Sequence, residues 1–377
     1  MSKNNIIYIF GPGRKEKLND VDIKAKEFFY GFHYLSTKNN IEIIEANKNK
    51  DNISGVRILL NLYDRIIVKL TSFPSYSIEL ISSANKKKLK NFEKRIFTTD
   101  ALFISVLPIV LIEKLFFKSN KNLVITMGLF GKKPKNIINK TFDWLFIRLV
   151  IFSTNKFLFL GEGEYNFAKS NYPKFIDKFT YLPFCVDTEF WSPRQENNKK
   201  GVLFVGNDGK RDYELFLKIV NSMKDVNFTA ITNFKIEKEY SNLKIVKGSW
   251  SEHFLSDNQM KDYYLNSELT IIPLKNSFQP SGQSVGMQSL SCGTPILVTE
   301  TDGFWGDENF KNNLGINFVS KNSTNSWVDS IYKILENKSK NNINVDYLNK
   351  NFDISIFNKK LENILNSICN FFPYFTM

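Results

Sequence analysis

The residue types best suited to chemistry are concentrated in residues 279–299. A turn of small residues there precedes a predicted helix, Ser284 to Ser291, and then a predicted buried strand, Pro295 to Val298. Glycine lets backbone N–H groups approach a ligand, serine adds a hydroxyl donor, and a helix N-terminus attracts anions. The stretch therefore predicts a phosphate site, and the competing interpretation is an ordinary pair of helix caps. The candidate contacts are Ser281, Gly282, Gln283, Ser284 and, further along the helix, Gln288.

A second polar turn follows the predicted strand Val202 to Val205. It places two cations side by side, Lys210 and Arg211. The turn begins with Gly206 and Asn207. A solvated turn would have the same composition.

In the N-terminal half, a glycine turn follows the apolar strand Ile6 to Phe10. A dinucleotide fingerprint would need a third glycine where Glu16 stands, so Gly11-Pro12-Gly13 is a weak match to one. We interpret the turn as the floor of a cleft. The candidate residues on this side of the cleft are Gly11, Gly13, Arg14, His33, Thr126 and Gly128.

The elements that would position these residues alternate as strand, glycine turn and helix in both halves, which predicts an α/β fold with doubly wound parallel sheets. Long helices are expected at residues 23–38 and 76–90. Prolines at 183 and 193 bracket a predicted linker. We predict a first domain at residues 1–190, a second at 191–353, and a C-terminal helix at 354–377 that packs back on the first domain.

Composition restricts the class of protein. A chain of 377 residues is longer than a single hydrophobic core usually supports, so two domains are expected. With 42% hydrophobic and 15% aromatic residues, the composition excludes a disordered chain. Three separated cysteines and two histidines argue against a disulfide framework and a Cys/His metal site, and fit a reducing cytoplasm.

The charge is uneven. Residues 1–190 carry 30 Lys and Arg against 18 Asp and Glu, whereas residues 191–377 carry 21 against 20. Basic groups among apolar helices favour an anionic membrane surface over nucleic acid as partner, although biased genome composition would give the same excess. The longest apolar stretch, residues 101–112, is too short to span a bilayer, so a cytoplasmic protein, peripheral on the inner face of the membrane, is expected.

Three motifs together resemble the retaining glycosyltransferases of family 4. Residues 182–191, Leu-Pro-Phe-Cys-Val-Asp-Thr-Glu-Phe-Trp, resemble the family's P-x-G-V-D-x-x-x-F junction, with Cys185 in place of glycine. Residues 204–213 resemble its F-x-G-R turn, with Asn207 in place of arginine. The stretch 279–299 resembles its A-C-G-x-P-V-x-x-T donor-site unit. The match spans about residues 180–305.

This resemblance implies a GT-B fold, in which two Rossmann-like domains face each other across a central cleft. It implies a nucleotide-sugar donor, with Lys210 and Arg211 at the diphosphate as catalytic cations. Two acidic positions of the family are occupied here by Pro280 and Gln288, and Gln288 would contact the ribose through its amide. Family members transfer with retention and without a protein base, and no metal motif stands at this site, so metal independence is expected. The remaining donor-side candidates are Gly206, Asn207, Trp250, Thr301 and Gly303. The resemblance makes residues 191–353 the donor domain and residues 1–190 the acceptor-side domain, so the candidates of the first half would face the acceptor.

The expected function is transfer of a sugar to a lipid-linked or cell-surface glycan acceptor, in polysaccharide or lipopolysaccharide assembly. The alternative from another class is a catalytically silent GT-B scaffold subunit, motivated by the loss of both acidic positions. An NAD(P)-dependent enzyme is a third hypothesis, kept open by Glu45 after the second strand.

Overall fold

The structure is a computed structural model that describes residues 4–21, 23–46, 55–116, 120–132, 137–194, 199–248, 255–304, 312–337 and 343–368. Within these residues the strands form two six-stranded parallel sheets. Their central strands are short and buried, as expected for parallel strands covered on both faces by helices.

The first sheet has the order β2-β1-β3-β4-β5-β6. Its strands are β1 Asn5–Phe10, β2 Asn40–Glu45, β3 Lys94–Phe97, β4 Lys121–Thr126, β5 Lys156–Phe159 and β6 Phe179–Tyr181.

The second sheet has the order β12-β11-β10-β7-β8-β9. Its strands are β7 Val202–Val205, β8 Phe228–Ile231, β9 Leu243–Val246, β10 Leu269–Ile272, β11 Ile296–Thr299 and β12 Asn317–Val319. The strand order reverses between β1 and β3 in one sheet and between β7 and β10 in the other. Ligands of such folds bind outside the carboxyl ends of the strands at these reversals.

Helices cover both faces of each sheet. In the first half they are α1 Arg14–Lys17, α2 Phe32–Ser36, α3 Gly55–Thr71, α4 Ser77–Leu80, α5 Ser83–Asn91, α6 Asp100–Leu115, α7 Ile137–Ser153 and α8 Glu162–Asn171, with 3₁₀ turns at Glu27–Phe29 and Pro173–Lys178. In the second half they are α9 Tyr213–Ser222, α10 Asp257–Asn266, α11 Gln283–Ser291, α12 Thr324–Glu336, α13 Val345–Phe352 and α14 Ile354–Ser367. None of these helices is long and apolar enough to cross a membrane.

The C-terminal helix α14 returns to the first half. Ile354 N–H donates to Val186 O at 2.9 Å, which starts the helix beside the segment that joins the two sheets. Leu361 and Leu365 are buried in the apolar cluster that covers one face of the first sheet. Glu362 also accepts from the Tyr34 hydroxyl at 2.7 Å. The predicted domain limits at residues 190 and 353 stay predictions.

The predicted α/β architecture with two doubly wound parallel sheets is confirmed. Two predicted helices are wrong in extent. The helix expected at residues 23–38 is interrupted because Tyr30 and Gly31 both adopt positive φ, which leaves only a 3₁₀ turn and the short α2. The helix expected at residues 76–90 is two helices, α4 and α5, separated at Ile81, whose ψ of 78° is not helical.

Candidate functional site

Two loops meet where the strand order of the second sheet reverses. The loop after β7 and the loop after β10 are joined by backbone hydrogen bonds: Asp212 N–H donates to Pro273 O, and Lys275 N–H donates to Lys210 O, both at 2.9 Å. Arg211 and Leu274 form an isolated bridge between them. The two turns selected from the sequence are therefore held as one unit at the expected ligand crevice.

Arg211 lies inside this unit and is only 3% exposed. Its Nε donates to Val205 O at 3.1 Å, and its Nη1 donates to Asp208 Oδ2 at 2.9 Å and to Ser281 Oγ at 2.6 Å. A Cβ at Gly206 would lie 2.5 Å from Arg211 Nε, so only glycine fits there. Arg211 thus connects the cationic turn to the serine turn, and its charge is partly balanced by Asp208.

The serine turn leads into α11. Gly282 begins the helix with φ 79°, a conformation that side chains disfavour, and a Cβ there would meet Ile272 at 2.7 Å. The Gln283 amide donates to Phe304 O at 3.0 Å. Ser284 is half-buried and lines a cavity. The first N–H groups of a helix have no partner within it and carry a partial positive charge, so this end of α11 can receive an anion.

A cavity of about 470 Å³ adjoins the two turns and is largely apolar. The Asn207 side chain organises one wall, because its Nδ2 donates to Gly248 O at 2.6 Å and its Oδ1 accepts from Asn233 N–H at 2.5 Å. Those bonds connect the loops after β7, β8 and β9. The volume of the cavity lies within the range of small-molecule sites. The other principal lining residues are Phe28, Leu255, Met260, Tyr264, Val285 and Gln288.

A buried polar network from both halves of the chain lies behind this cavity. Glu27 Oε1 accepts from Gln288 Nε2 at 2.9 Å and from Trp191 Nε1 at 2.8 Å. Gln288 Oε1 in turn accepts from the Tyr264 hydroxyl at 3.1 Å. Burial raises the pKa of Glu27 to about 7, and its Oε2 is buried without a hydrogen-bond partner. An acid from the N-terminal half therefore lies beside Gln288.

The segment that carries Glu27 is attached to the second half. Asp257 Oδ2 accepts from the backbone N–H groups of Lys24 and Ala25, at 2.8 and 2.9 Å. Ala25 is buried in the apolar cluster of the second half, and Phe28 lines the 470 Å³ cavity. Through Phe28, the N-terminal half thus contributes to the wall of that cavity.

A second cavity, of about 870 Å³, lies between the two halves. Lys210 and Lys132 bring positive charge to it, and Asp100 brings a carboxylate from the start of α6. The remaining lining includes Gly11, Pro12, Phe73, Tyr76, Gly128, Phe278, Gln279 and Asp302. Because Lys210 lines this cavity while Arg211 lines the first, the cationic turn separates the two.

Two carboxylates fix the loop after β4 at the rim of the second cavity. Glu164 accepts from Gly128 N–H at 3.0 Å and from Phe130 N–H at 2.9 Å. Asp100 Oδ2 accepts from Met127 N–H at 3.3 Å. Burial, reinforced by the charge of Asp100, raises the pKa of Glu164 to about 8, and burial also raises the pKa of Asp100.

Close approach of the two halves at this rim depends on glycines. A Cβ at Gly131 would lie 2.2 Å from Phe278, and one at Gly163 would lie 2.3 Å from Asp302 O. Cβ atoms at Gly128 and Gly161 would each meet the segment Gln279–Pro280 at 3.0 Å. The loops of the first sheet therefore leave just enough room for the donor loop of the second.

The structure brings most of the predicted residues together. Gly206, Asn207, Arg211, Ser284 and Gln288 line the 470 Å³ cavity, and Gly11, Gly128 and Lys210 line the 870 Å³ cavity. Thr301 and Gly303 support the serine turn, since Ser281 N–H donates to Gly303 O at 3.2 Å and Gly303 N–H donates to Thr301 Oγ1 at 3.0 Å.

Other predicted residues lie elsewhere. The His33 ring packs against Phe29, with centroids 5.0 Å apart, and the Thr126 hydroxyl donates within the sheet to Leu158 O at 3.2 Å. Arg14 lies over the Phe28 ring, and Gly13 caps α1. Trp250 lies outside the described residues.

Sequence reasoning missed Glu27, Asp100 and Asp257. Asp100 had a usable signal, because it lies three residues after the end of β3 and so at the carboxyl edge of the sheet. Glu27 and Asp257 had none, since their importance comes from contacts across the domain junction.

Among the described residues no group of three or more His, Cys, Asp or Glu side chains could hold a metal ion. Metal independence stays a prediction.

No family model matches the chain, and no curated protein sequence matches it either. Solved structures do. A glycosyltransferase from Rickettsia africae aligns with a TM-score of 0.63 and 13% identity, over 98% of this chain and 99% of that one.

Two further structures are similar. The UDP-forming α,α-trehalose-phosphate synthase from Burkholderia vietnamiensis aligns with a TM-score of 0.67 and 10% identity over 97% of this chain and 100% of that one. Anabaena Alr3699/HepE, solved in complex with UDP-glucose, aligns with a TM-score of 0.60 and 9% identity over 96% and 99%. The chain has the same overall fold, the GT-B fold implied by its motifs.

Proposed function

We propose that the protein is a glycosyltransferase that moves a sugar from a nucleoside-diphosphate donor to a glycan acceptor. One observation carries the proposal: Lys210, Arg211 and the N-terminus of α11 converge at the strand-order reversal, between a largely apolar cavity and a larger one with a more polar lining. That arrangement offers one place for a nucleoside, one for an acceptor, and positive charge between them.

The donor would place its base and ribose in the 470 Å³ cavity and its diphosphate against the start of α11. Leaving-group departure builds negative charge on the diphosphate, and fixed N–H dipoles and cations stabilise that charge. Uridine is the first base to test, because the similar structures include a UDP-forming enzyme and a complex with UDP-glucose.

The sugar would be transferred with retention, as in the family that the motifs resemble. The leaving phosphate would take the acceptor proton, so neither a protein base nor a metal ion is required. The arrangement of Lys210 beside the larger cavity supports this scheme, because the cation would lie where the diphosphate faces the acceptor.

The acceptor would occupy the 870 Å³ cavity. We assign it to a lipid-linked or cell-surface glycan in polysaccharide or lipopolysaccharide assembly, acted on at the cytoplasmic face of the membrane. The excess of basic residues in the N-terminal half supports this assignment.

The test is a panel of UDP-, GDP-, dTDP- and ADP-sugars, incubated with folded protein while the released nucleoside diphosphate is measured. We expect release from one donor class, unchanged by a metal chelator, and a retained anomeric configuration in the product. Folded protein that neither binds nor hydrolyses any donor would contradict the proposal.

A silent GT-B scaffold subunit is the second candidate. It is favoured by Gln288, which has no negative charge and whose amide is occupied by Glu27 and Tyr264. Tight donor binding without turnover, even with acceptor-bearing membranes present, would support it. Turnover that requires Lys210 would exclude it.

A further inference from the structure

Exposed apolar side chains are concentrated on one part of the N-terminal half. Of the 19 large apolar side chains exposed among the described residues, 14 lie on α3 and α7 or at the end of α6. Both α3 and α6 pack against α7, so these helices are neighbours. We call this the α3–α6–α7 face. Its apolar members are Val56, Ile58, Leu59, Leu62, Ile66, Val68, Ile112, Leu115, Phe116, Ile137, Trp144, Leu145, Leu149 and Phe152.

The outward side of α7 shows the pattern most clearly. Ile137, Trp144, Leu145 and Phe152 are exposed, and the exposed charges between them are Lys140 and Arg148, both basic. Arg148 lies 4.0 Å from the Trp144 ring centroid, so it covers an aromatic side chain that faces solvent. A solvent-facing helix side normally carries polar residues, whereas this one carries apolar residues and cations.

The end of α6 continues this surface. Lys114 Nζ donates to Phe152 O at 2.9 Å and lies 5.1 Å from the centre of the Phe152 ring. Leu115 and Phe116, next in the chain, are each about three-quarters exposed. Lys114 therefore joins the apolar ends of α6 and α7 into one area.

Acidic residues of the three helices are turned away from solvent. Glu113 is buried in an ion pair with Arg95, and Asp100 and Asp143 are also buried. Asp64 is half-buried and accepts from the Ser75 hydroxyl at 2.5 Å. The fully exposed charges of these helices are all basic: Arg65, Lys69, Lys140 and Arg148.

This face borders the 870 Å³ cavity. Phe73, Pro74 and Tyr76, which follow α3, line the cavity, and so does Lys132, which precedes α7. Asn139 of α7 donates to Leu70 O of α3 at 2.7 Å, which holds the two helices together near that rim. A molecule lying along the face would have one end at the cavity.

We propose that the α3–α6–α7 face docks on an anionic lipid bilayer. Apolar and aromatic side chains would enter the boundary between headgroups and acyl chains, while the interspersed cations pair with anionic headgroups. The charge pattern selects this occupant over a second copy of the chain, because pairing two such faces would bring together like charges. The inference rests on the proposed function for one point only, the lipid-linked nature of the acceptor that the bilayer would present to the cavity.

The test is flotation of the full chain with vesicles, without any donor sugar. One set of vesicles contains phosphatidylglycerol and phosphatidylcholine, and the other contains phosphatidylcholine alone. We expect recovery with the anionic vesicles, weakened by salt, and much lower recovery with the neutral ones.

The double variant Lys140→Glu and Arg148→Glu should lower partitioning onto the anionic vesicles by about thirtyfold or more, since each basic residue near the surface contributes about fivefold. The double variant Leu145→Glu and Leu149→Glu should also lose it.

Matched controls change the same residue types elsewhere. Ile176→Glu with Ile245→Glu replaces side chains of similar exposure outside the face, and Lys321→Glu with Lys350→Glu removes exposed charges from the second half. Both controls should float as the wild type does. Donor hydrolysis measured without membranes shows that each variant is folded.

Three outcomes would overturn the proposal that this face docks on an anionic bilayer. They are equal recovery on neutral and anionic vesicles, face variants that float as well as the controls, and a dimer formed without lipid that dissociates only in the face variants. Failure to float with intact donor hydrolysis would overturn docking alone. Flotation without hydrolysis of any donor would instead contradict the proposed function and leave docking supported.

Discussion

The two adjacent cations of the β7 turn have different surroundings, so they should respond differently to removal. Lys210 is half-buried and lines the larger cavity, whereas Arg211 is buried and bonded to Asp208 and Ser281. Lys210→Ala should lower donor turnover by roughly a hundredfold or more, the size expected for one transition-state donor, with little change in thermal unfolding.

Arg211→Ala should lower both turnover and stability, because the buried Val205 O and Ser281 Oγ would lose the donor that Arg211 supplies. Turnover and unfolding temperature, measured on both variants, separate the two roles. Wild-type turnover in both would contradict the assignment of this turn to the diphosphate.

Glu27 makes the stability of the protein depend on pH. Its pKa is raised by burial to about 7, above the ordinary value of 4.5. The associated stability is present below about pH 4.5 and is lost as the pH rises through 7. The variant Glu27→Gln has no proton to lose at this position. Its free energy of unfolding should therefore rise relative to that of the wild type between about pH 4.5 and 7. At higher pH the difference between the two should no longer increase.

Chemical denaturation at a series of pH values measures this difference. The exposed Glu239→Gln is the control and should follow the wild type. A wild-type to Glu27→Gln difference that does not change with pH would show that Glu27 does not exchange its proton in this interval.

Substitution of Asp100 tests the proposal that the reaction needs no protein base. It is a carboxylate on the lining of the acceptor cavity, so a mechanism with a base would be expected to use it. If the leaving phosphate takes the acceptor proton, Asp100→Asn should change turnover by no more than about tenfold. Loss of a general base would instead lower turnover by about 10² to 10⁴. Single-turnover rates with saturating donor and acceptor make the comparison, and a loss at the upper end would contradict retention without a base.

At the scale of elements, the donor loop and the first sheet approach each other through glycines. Gly163 lies in α8, where alanine would ordinarily stabilise the helix by about 1 kcal/mol. A Cβ at this position would meet Asp302 O at 2.3 Å, so Gly163→Ala should force the halves apart. We expect turnover to fall with little loss of thermal stability.

Gly55→Ala is the matched control, because Gly55 also lies in a helix, α3, and a Cβ there meets nothing within 4 Å. Steady-state turnover and thermal unfolding of the two variants provide the test. Equal turnover in both would contradict the importance of this close approach.

The αβ unit around α11 was predictable because its determinants are local. The prediction placed the helix at 284–291 and the strand at 295–298, each within one residue of the observed Gln283–Ser291 and Ile296–Thr299. Residues 23–38 failed for the opposite reason. Their apolar pattern reflects packing of Phe29, Tyr30 and Leu35 against the first sheet, and positive φ at Tyr30 and Gly31 cannot be inferred from that pattern.

The candidate site was predictable only where its residues lie in loops that follow the strands. Gly206, Ser281 and Gly282 follow strand ends, so the parallel sheet brings them to one edge. Glu27 lies 261 positions from Gln288 in the chain, and nothing in either neighbourhood indicates their hydrogen bond.

At the scale of the whole molecule, the cleft is built by both halves. The second half supplies the cationic and serine turns, and the first supplies Glu27, Phe28 and the rim around Gly128. The return of α14 to the first sheet adds a further connection between the halves. Movement of one half relative to the other would therefore change both cavities together.

The central claim is that this cleft binds a nucleoside diphosphate with its phosphates between α11 and Lys210. Calorimetric titration of UDP and UMP into the wild type and into Lys210→Ala tests it most directly, with GDP, dTDP and ADP as further ligands if UDP does not bind. The account predicts that the wild type binds one diphosphate about tenfold or more tightly than its monophosphate, and that Lys210→Ala loses most of that preference. Folded wild-type protein that binds none of the diphosphates, or that binds mono- and diphosphate equally, would contradict it.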